Sequence, residues 1–139
     1  MMNKGYPLDS RLQHRAPGAA AMTADTTLGD FDQLGKTRTE FLTKLYVESI
    51  DTTTGDEKYV LRAELSNDDF VTVDAVGGIV EMGDATQLAS ATDTAVGDEL
   101  EMRWTTEVAG VKYQYWRIRL DVSGTSPSMG AHVYSTVMT

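Results

Sequence analysis

Serine and histidine are the residue types in this chain that could supply a nucleophile and a base. The segment SGTSPS presents Ser126 and Ser128 on either side of Pro127. The two histidines are His14 and His132. A nucleophilic serine needs a positioned base, yet the chain has no G-x-S-x-G or H-E-x-x-H motif, and neither histidine has a carboxylate nearby in a recognisable pattern. Because proline fixes φ, we interpret the segment as a stiff connection between two strands and expect no catalytic residue.

Two other segments imitate ligand-binding loops. LGKT, residues 34–37, ends like a phosphate-binding loop, but Asp30 stands where that motif needs its first glycine. DTTTGDE, residues 51–57, fits an EF-hand loop at its first position only. We therefore expect no cofactor and no metal site. Residues 51–57 instead predict a hairpin turn in which Gly55 adopts a positive φ.

The composition restricts the classes of protein to which the chain can belong. It has 139 residues, a net charge of -9 and no cysteine, which fits one domain without disulfides or a thiolate zinc site. Residues 48–101 carry fourteen acidic side chains against Lys58 and Arg62. We interpret these acids as a solvated outer face rather than a cation site, and such a face repels nucleic acid. With no apolar run near the ~18 residues of a membrane span and no signal-peptide core, we expect a soluble protein without a membrane partner.

From residue 36 onward the chain reads as short strands separated by glycine-containing turns. Residues 58–66, KYVLRAELS, alternate between an apolar and a polar face, as a half-buried strand does. The expected strands are residues 41–50, 58–66, 70–76, 79–82, 99–104, 112–122 and 131–137. This pattern predicts an all-β fold, an antiparallel β-sandwich of jelly-roll-like type, that occupies residues 36–139 and folds on its own.

Residues 112–122 are the most informative of these strands. One face is apolar and is predicted to lie in the core: Trp116, Ile118, Leu120 and Val122. The other face combines tyrosine and arginine, which are enriched at protein interfaces: Tyr113, Tyr115, Arg117 and Arg119. Two interpretations of this second face remain open. It is either a contact surface for a protein partner, or a ladder of cross-strand pairs on a solvated sheet.

Residues 1–35 differ from the rest of the chain. Pro7 and Pro17 break helices, and no period of 2 or 3.6 residues persists. We predict an extended N-terminal arm, which is either a disordered leader or a strap that orders against a partner. The candidate anchors of such a strap offer apolar area or a cation: Tyr6, Leu8, Arg11, Leu12 and Arg15.

Two separated patterns resemble the small decoration, or cement, proteins of tailed-phage capsids. Residues 46–70, YVESIDTTTGDEKYVLRAELSNDDF, contain a strand, a Gly-Asp-Glu turn and a second strand. Residues 111–133, VKYQYWRIRLDVSGTSPSMGAHV, run from an aromatic, arginine-rich strand through Gly-Thr-Ser-Pro-Ser into the last strand. The resemblance implies a β-sandwich, made in the host cytoplasm, that binds the major capsid protein on the outer surface of the virion. It also implies a homo-oligomer, a trimer being favoured, and no catalytic residue.

A carbohydrate- or receptor-binding β-sandwich of a virion fibre or surface is the alternative. Trp104 and Trp116 could form a platform for a sugar, although buried packing is the commoner fate of tryptophan. The arm distinguishes the two functions, because a cement protein uses it to cross between neighbouring subunits and a sugar-binding module does not need one.

Overall fold

The computed structural model describes residues 12–138, and most of their regular structure is antiparallel β-sheet. The strands in chain order are β1 (Gln13–Arg15), β2 (Thr26–Asp32), β3 (Glu40–Ile50), β4 (Lys58–Ser66), β5 (Ala75–Gly83), β6 (Glu99–Thr105), β7 (Glu107–Val108), β8 (Val111–Lys112), β9 (Tyr115–Ser123) and β10 (Met129–Val137). A short 3₁₀ helix, Ala85–Gln87, lies between β5 and β6. The all-β prediction is confirmed.

Two four-stranded sheets form a sandwich. The first sheet has the order β1-β10-β3-β6 and the second β2-β9-β4-β5, while β7 and β8 form a separate hairpin. With that hairpin set aside, the first strand pairs with the last and the second with the last but one. The third strand pairs with the sixth, and the fourth with the fifth. This nested pairing is the strand order of an eight-stranded jelly roll.

Alternation along the strands sets the core between the two sheets. In β9, the predicted core residues Trp116, Ile118 and Leu120 are buried, and Val122 packs against them while partly exposed. The ring of Phe31, from β2, stacks on Trp116 with 4.1 Å between ring centroids. Stacking of aromatic rings adds to the stability gained from burial alone.

The sheets begin before residue 36, which corrects the predicted boundary of the arm. β1 pairs with β10 and β2 with β9, and Leu28 of β2 belongs to the core. The alternation of β2 is hidden in the sequence because Gly29 has a φ of 128° and the pairing with β9 shifts between Thr27 and Asp30, as at a β-bulge. Residues 36–139 therefore lack two of the eight strands of the jelly roll.

Residues 51–57 cross from one sheet to the other instead of closing a hairpin. β3 lies in the first sheet and β4 in the second. Gly55 does have the expected positive φ, 88°. The turn closes on the buried carboxylate of Glu57, which accepts hydrogen bonds from the backbone N–H groups of Thr54 (3.1 Å) and Gly55 (3.0 Å). Local residues thus specify the turn, whereas distant pairing decides which sheet the next strand joins.

The strand predicted over residues 70–76 is wrong for most of its length, because β5 begins only at Ala75. Asp69 and Phe70 have φ values of 55° and 61°, in the left-handed region rather than the extended one. Residues 67–74 form a loop as a result.

The pair Gly77-Gly78, which reads as a turn in the sequence, lies inside β5. A Cβ at Gly78 would lie 2.9 Å from Cγ of Met102 in β6. The two glycines therefore let the edge strand β5 approach β6 closely and close that side of the sandwich.

Candidate interaction surface

Three loops and both ends of the described chain meet at one end of the sandwich. In the second sheet, Asp32 and Ser66 both pair with Tyr115, so β2 and β4 end where β9 begins. In the first sheet, Phe41 pairs with Val137, so β3 begins where β10 ends. We name this region the loop end; it comprises residues 33–39, 67–74 and 106–114 with Leu12 and Val137.

Hydrogen bonds join the three loops to one another. Thr106 Oγ1 donates to the backbone carbonyl of Thr37 (2.7 Å) and accepts from the N–H of Thr39 (2.8 Å). In the second loop, Asn67 Oδ1 accepts from the N–H of Gln114 (3.0 Å) in the third. Because each loop holds another, the loop end is formed before any partner binds.

The loop of residues 67–74 folds around the carboxylate of Asp68. That carboxylate accepts hydrogen bonds from Ser66 Oγ (2.6 Å), from the N–H of Thr72 (3.1 Å) and from Thr72 Oγ1 (2.7 Å). The hydrogen bond from the Ser66 hydroxyl, followed by those from Thr72, lowers the pKa of Asp68 below its usual range. Aspartate bonded to its own turn is a locally encoded motif, so this loop takes its shape from its own residues.

Several non-glycine residues of the loop end have left-handed backbone. Leu34, Asp69, Phe70 and Ala109 all have φ between 52° and 61°. Ala109 and Gly110 form the two-residue turn of the β7–β8 hairpin, where positive φ at both positions matches the twist of the strands. For leucine and phenylalanine the same φ is unfavourable, and such strain is concentrated at functional sites.

The loop end also carries exposed apolar side chains. Leu34 is 87% exposed and Val71 is 83% exposed. Three further valines of this region are partly or largely exposed: Val73, Val111 and Val137. Apolar side chains held outward on preformed loops suit contact with another protein surface.

An open groove of about 320 Å³ enters the sandwich beside the loop end. Its lining is mostly apolar and aromatic: Leu12, Phe31, Asp32, Gln33, Phe41, Trp116 and Val137. Leu12, directly before β1, forms part of its wall. The volume lies at the lower end of the range for ligand pockets.

The arginines predicted as interface contacts are paired within the second sheet. Arg117 Nε donates to Glu64 (2.8 Å), and Arg119 Nε donates to Asp121 (2.7 Å). Arg62 of β4, which lies opposite Arg119, also contacts Asp121. The face is therefore a ladder of cross-strand ion pairs, one of the two predicted alternatives. Contact of these arginines with a partner stays a prediction.

Tyr113 does not share this face, which corrects its prediction. β9 begins at Tyr115, so Tyr113 precedes the strand, is buried, and donates its N–H to the carbonyl of Thr106 (2.9 Å). Alternation of faces applies only within a strand. Tyr115 lies on the predicted face and is partly exposed.

The predicted anchors of the arm are divided between two parts of the chain. Leu12 lines the groove, and Arg15 of β1 donates through Nη2 to the backbone carbonyl of Ala20. Tyr6, Leu8 and Arg11 lie outside the described residues.

The serines and histidines first considered for chemistry lie apart. Ser126 and Ser128 belong to the connection between β9 and β10, as predicted. His14 Nε2 lies 2.7 Å from Ser135 Oγ, which lies 2.7 Å from Thr43 Oγ1. The sequence did not indicate either contact, because His14, Thr43 and Ser135 are far apart along the chain. All three side chains are buried, and burial lowers the pKa of His14 to about 4. The chain of hydrogen bonds therefore ties β1 to β10 and β3.

The two tryptophans are buried rather than presented as a platform for a sugar. Their ring centroids are 5.1 Å apart. Trp104 Nε1 donates to Thr43 Oγ1 (2.8 Å), which satisfies its polar atom inside the core. Trp104 and Trp116 are both buried, which is the commoner of the two outcomes considered for them in the sequence.

A cluster of three aromatic rings on the outer face of the first sheet was not predicted from the sequence. The ring centroid of His132 lies 5.7 Å from that of Tyr46 and 5.4 Å from that of Tyr134. A hydrogen bond with Tyr134 raises the pKa of Tyr46. The pairing of β3 with β10 brings these residues together, so no local sequence pattern predicts that their rings are in contact.

Other kinds of site were sought across residues 12–138. In that part of the chain, no group of three or more histidine or acidic side chains is arranged to hold a metal ion. No helix there is long and apolar enough to cross a membrane. Comparison with known protein families, curated proteins and solved structures gives no match.

Proposed function

We propose that the chain is a structural virion protein that decorates the outer surface of a tailed-phage capsid and bridges major capsid subunits. The loop end is its attachment surface, and the N-terminal segment adds contacts beside it. The observation that carries the proposal is the preformed apolar surface, where Leu34 and Val71 are exposed on loops held by Thr106 and Asp68. Burying such side chains is a driving force for protein association.

The capsid as partner is supported by the resemblance of residues 46–70 and 111–133 to decoration proteins. The jelly roll suits the same function, since capsid and lectin domains are built on it, although this is an analogy of fold alone. A trimer would strengthen attachment, because tethered copies raise the effective concentration for each further contact. The avidity of the trimer can then exceed the affinity of a single contact by ~10²–10⁴-fold. Bridging follows when copies in one oligomer contact different capsid subunits.

Sedimentation with particles tests the proposal. Purified chain is mixed with capsids of the virus whose genome encodes it, and the particles are pelleted. Saturable binding at a fixed ratio of chain to capsid subunits is expected. If no chain pellets with intact particles over the micromolar range of weak protein contacts, the proposal is wrong.

A carbohydrate- or receptor-binding function is the second candidate, and the aromatic cluster of Tyr46, His132 and Tyr134 favours it. These rings lie on an outer sheet face, where aromatic side chains can contact a ligand. However, the rings stack on one another, which covers the faces that a sugar would use. Binding to a glycan array that is lost in Tyr46→Ala, together with no sedimentation on capsids, would favour this candidate over decoration.

A further inference from the structure

His14 holds the edge strand β1 against the core. Its ring is buried and packs edge-on against the rings of Phe31 and Trp116, at centroid distances of 5.4 and 5.7 Å. Its Nε2 atom lies 2.7 Å from Ser135 Oγ of β10. In the first sheet β1 pairs with β10, and β10 also pairs with β3 along its whole length. Detaching β1 therefore leaves the pairing of β10 with β3 in place.

The hydrogen bonds that lead to His14 have a direction. Trp104 Nε1 can only donate, and it donates to Thr43 Oγ1 (2.8 Å). The hydroxyl oxygens of Thr43 and Ser135 lie 2.7 Å apart. Both hydroxyl protons have an acceptor if Thr43 donates to Ser135 and Ser135 donates to Nε2 of His14. We assign this direction, in which His14 is neutral and carries its proton on Nδ1.

A protonated His14 does not fit this arrangement. Its Nε2–H group would have to donate to Ser135, and one of the two hydroxyl protons of Thr43 and Ser135 would then lack an acceptor among residues 12–138. Nδ1 is buried as well and has no hydrogen-bond partner in the same part of the chain. A buried donor without a partner costs free energy, and a charged one costs more. Protonation therefore disfavours the docked position of β1.

The strands packed against His14 present uncharged side chains to it. These are Phe31 of β2, Trp116 of β9, Ser135 of β10 and, beyond Ser135, Thr43 of β3. The titratable residues next to them in their strands alternate to the outer faces of the sheets: Asp30, Asp32, Lys44, Tyr115, Arg117 and Tyr134. In β1 itself, Arg15 donates to the backbone carbonyl of Ala20. Burial is accordingly the cause that lowers the pKa of His14 to about 4.

We infer that His14 is an acid-sensitive switch whose protonation detaches β1 from β10 while the rest of the sandwich stays folded. In the detached form the ring is hydrated and its pKa returns to the ordinary 6.5, whereas the docked ring has a pKa of about 4. Between these values the proton binds preferentially to the detached form, so the detached population grows as the pH falls. The inference is independent of capsid attachment.

Met22 sets the limit of the segment that detaches. Met22 is buried, and its backbone exchanges two hydrogen bonds with Met129, of 2.7 and 3.0 Å. Between β1 and Met22, the N–H of Gly18 donates to the exposed carboxylate of Glu48 (3.2 Å). Residues 12–21 are thus held mainly by His14 and the pairing of β1, and they form a unit that can open locally.

Native-state hydrogen exchange of the full-length protein tests the switch. Exchange is followed by mass spectrometry at pH 7.0 and pH 4.5, and each rate is divided by the intrinsic rate at that pH. Given pKa values of 6.5 and about 4 for the two forms, the protection of residues 12–21 should fall roughly 50-fold between these pH values. Residues 58–66 of β4 should stay at least tenfold better protected at both, because their exchange requires opening of the core.

Variants of the two histidines assign the response. His14→Gln should lack the fall in protection, and His132→Gln, the matched control, should keep it. If His14→Gln does not fold, His14→Phe keeps a ring in the core, cannot ionise and gives the same comparison.

Three results would overturn the inference. The first is wild-type protection of residues 12–21 that does not change with pH. The second is equal protection of residues 12–21 and 58–66, which would mean that the whole sandwich opens at once. The third is a pH response that survives the replacement of His14 or is lost in His132→Gln.

Discussion

The guanidinium of Arg117 lies over the ring of Phe70, 4.3 Å from the ring centroid, and so joins the second sheet to the loop end. The same guanidinium donates to Glu64. Phe70 has a left-handed φ of 61°, which an aromatic residue rarely adopts without support. Arg117, which was predicted from the sequence to contact a partner, thus positions the loop that exposes Val71.

Removing Arg117 should destabilise the sandwich by about 1–3 kcal/mol, because the nearly buried carboxylate of Glu64 would lose its closest cation. The remaining cation, Arg62, lies 3.9 Å away. Arg119→Ala should cost less, since Asp121 keeps its contact with Arg62. Urea unfolding of Arg117→Ala and Arg119→Ala measures the difference. Equal losses in the two variants would show that Glu64 does not depend on Arg117.

Leu120→Ala should lower the free energy of unfolding by ~2–5 kcal/mol, the range for truncating a buried leucine. Arg119→Ala, whose side chain points to the other face of β9, is the matched control and should have a much smaller effect. Chemical denaturation of both variants gives the comparison. A small and equal effect would mean that the two faces of β9 are assigned incorrectly.

Stability should fall with acidification because of His14. Its pKa is lowered from its ordinary 6.5 to about 4 by burial, so between these values the unfolded chain binds a proton that the folded chain does not. The contribution is fully present above pH 6.5 and decreases as pH falls toward 4, by roughly 3 kcal/mol in total. Unfolding free energies measured from pH 7 to 4 should show this slope in wild type and in His132→Gln. His14→Gln should lack it; an unchanged slope in that variant would assign the effect to other groups.

Asp68→Ala should loosen residues 67–74 without unfolding the sheets. The N–H of Thr72 would lose its acceptor, so its amide should exchange with solvent faster. Asp69→Asn is the control, because the hydrogen bonds described for this loop do not use the Asp69 side chain and asparagine also tolerates the left-handed φ of 55° at this position. Hydrogen exchange resolved by mass spectrometry distinguishes the variants. Unaltered exchange in Asp68→Ala would mean that the loop is held by other contacts.

Much of the fold was predictable because period-2 alternation marks a strand with one buried face. β3, β4, β6 and the inward residues of β9 follow that rule directly. β2 escaped prediction because the bulge at Gly29 interrupts its alternation. The crossing at residues 51–57 was not predicted, because the sequence of a turn is similar whether the next strand pairs with the preceding one or joins the opposite sheet.

The site was less predictable than the fold. Leu34 and Val71 read as ordinary loop residues in the sequence. The loops that expose them are held by hydrogen bonds whose two partners are far apart along the chain, from Thr106 to Thr37 and from Gln114 to Asn67. Tyr113 was assigned to the arginine face because the break before β9 leaves no signal in the residue pattern. Contacts between loops depend on the completed fold, and a single sequence does not contain that information locally.

Capsid binding by variants of the loop end tests the central claim most directly. The double variant Leu34→Asp/Val71→Asp places two charges on the proposed contact surface, and both side chains are exposed, so folding should be retained. Val96→Asp, also at an exposed valine but at the opposite end, is the matched control. Sedimentation with capsids should show at least a tenfold weaker affinity for the double variant, or about 1.4 kcal/mol, and unchanged affinity for the control. Wild-type affinity in a folded double variant would contradict attachment through the loop end.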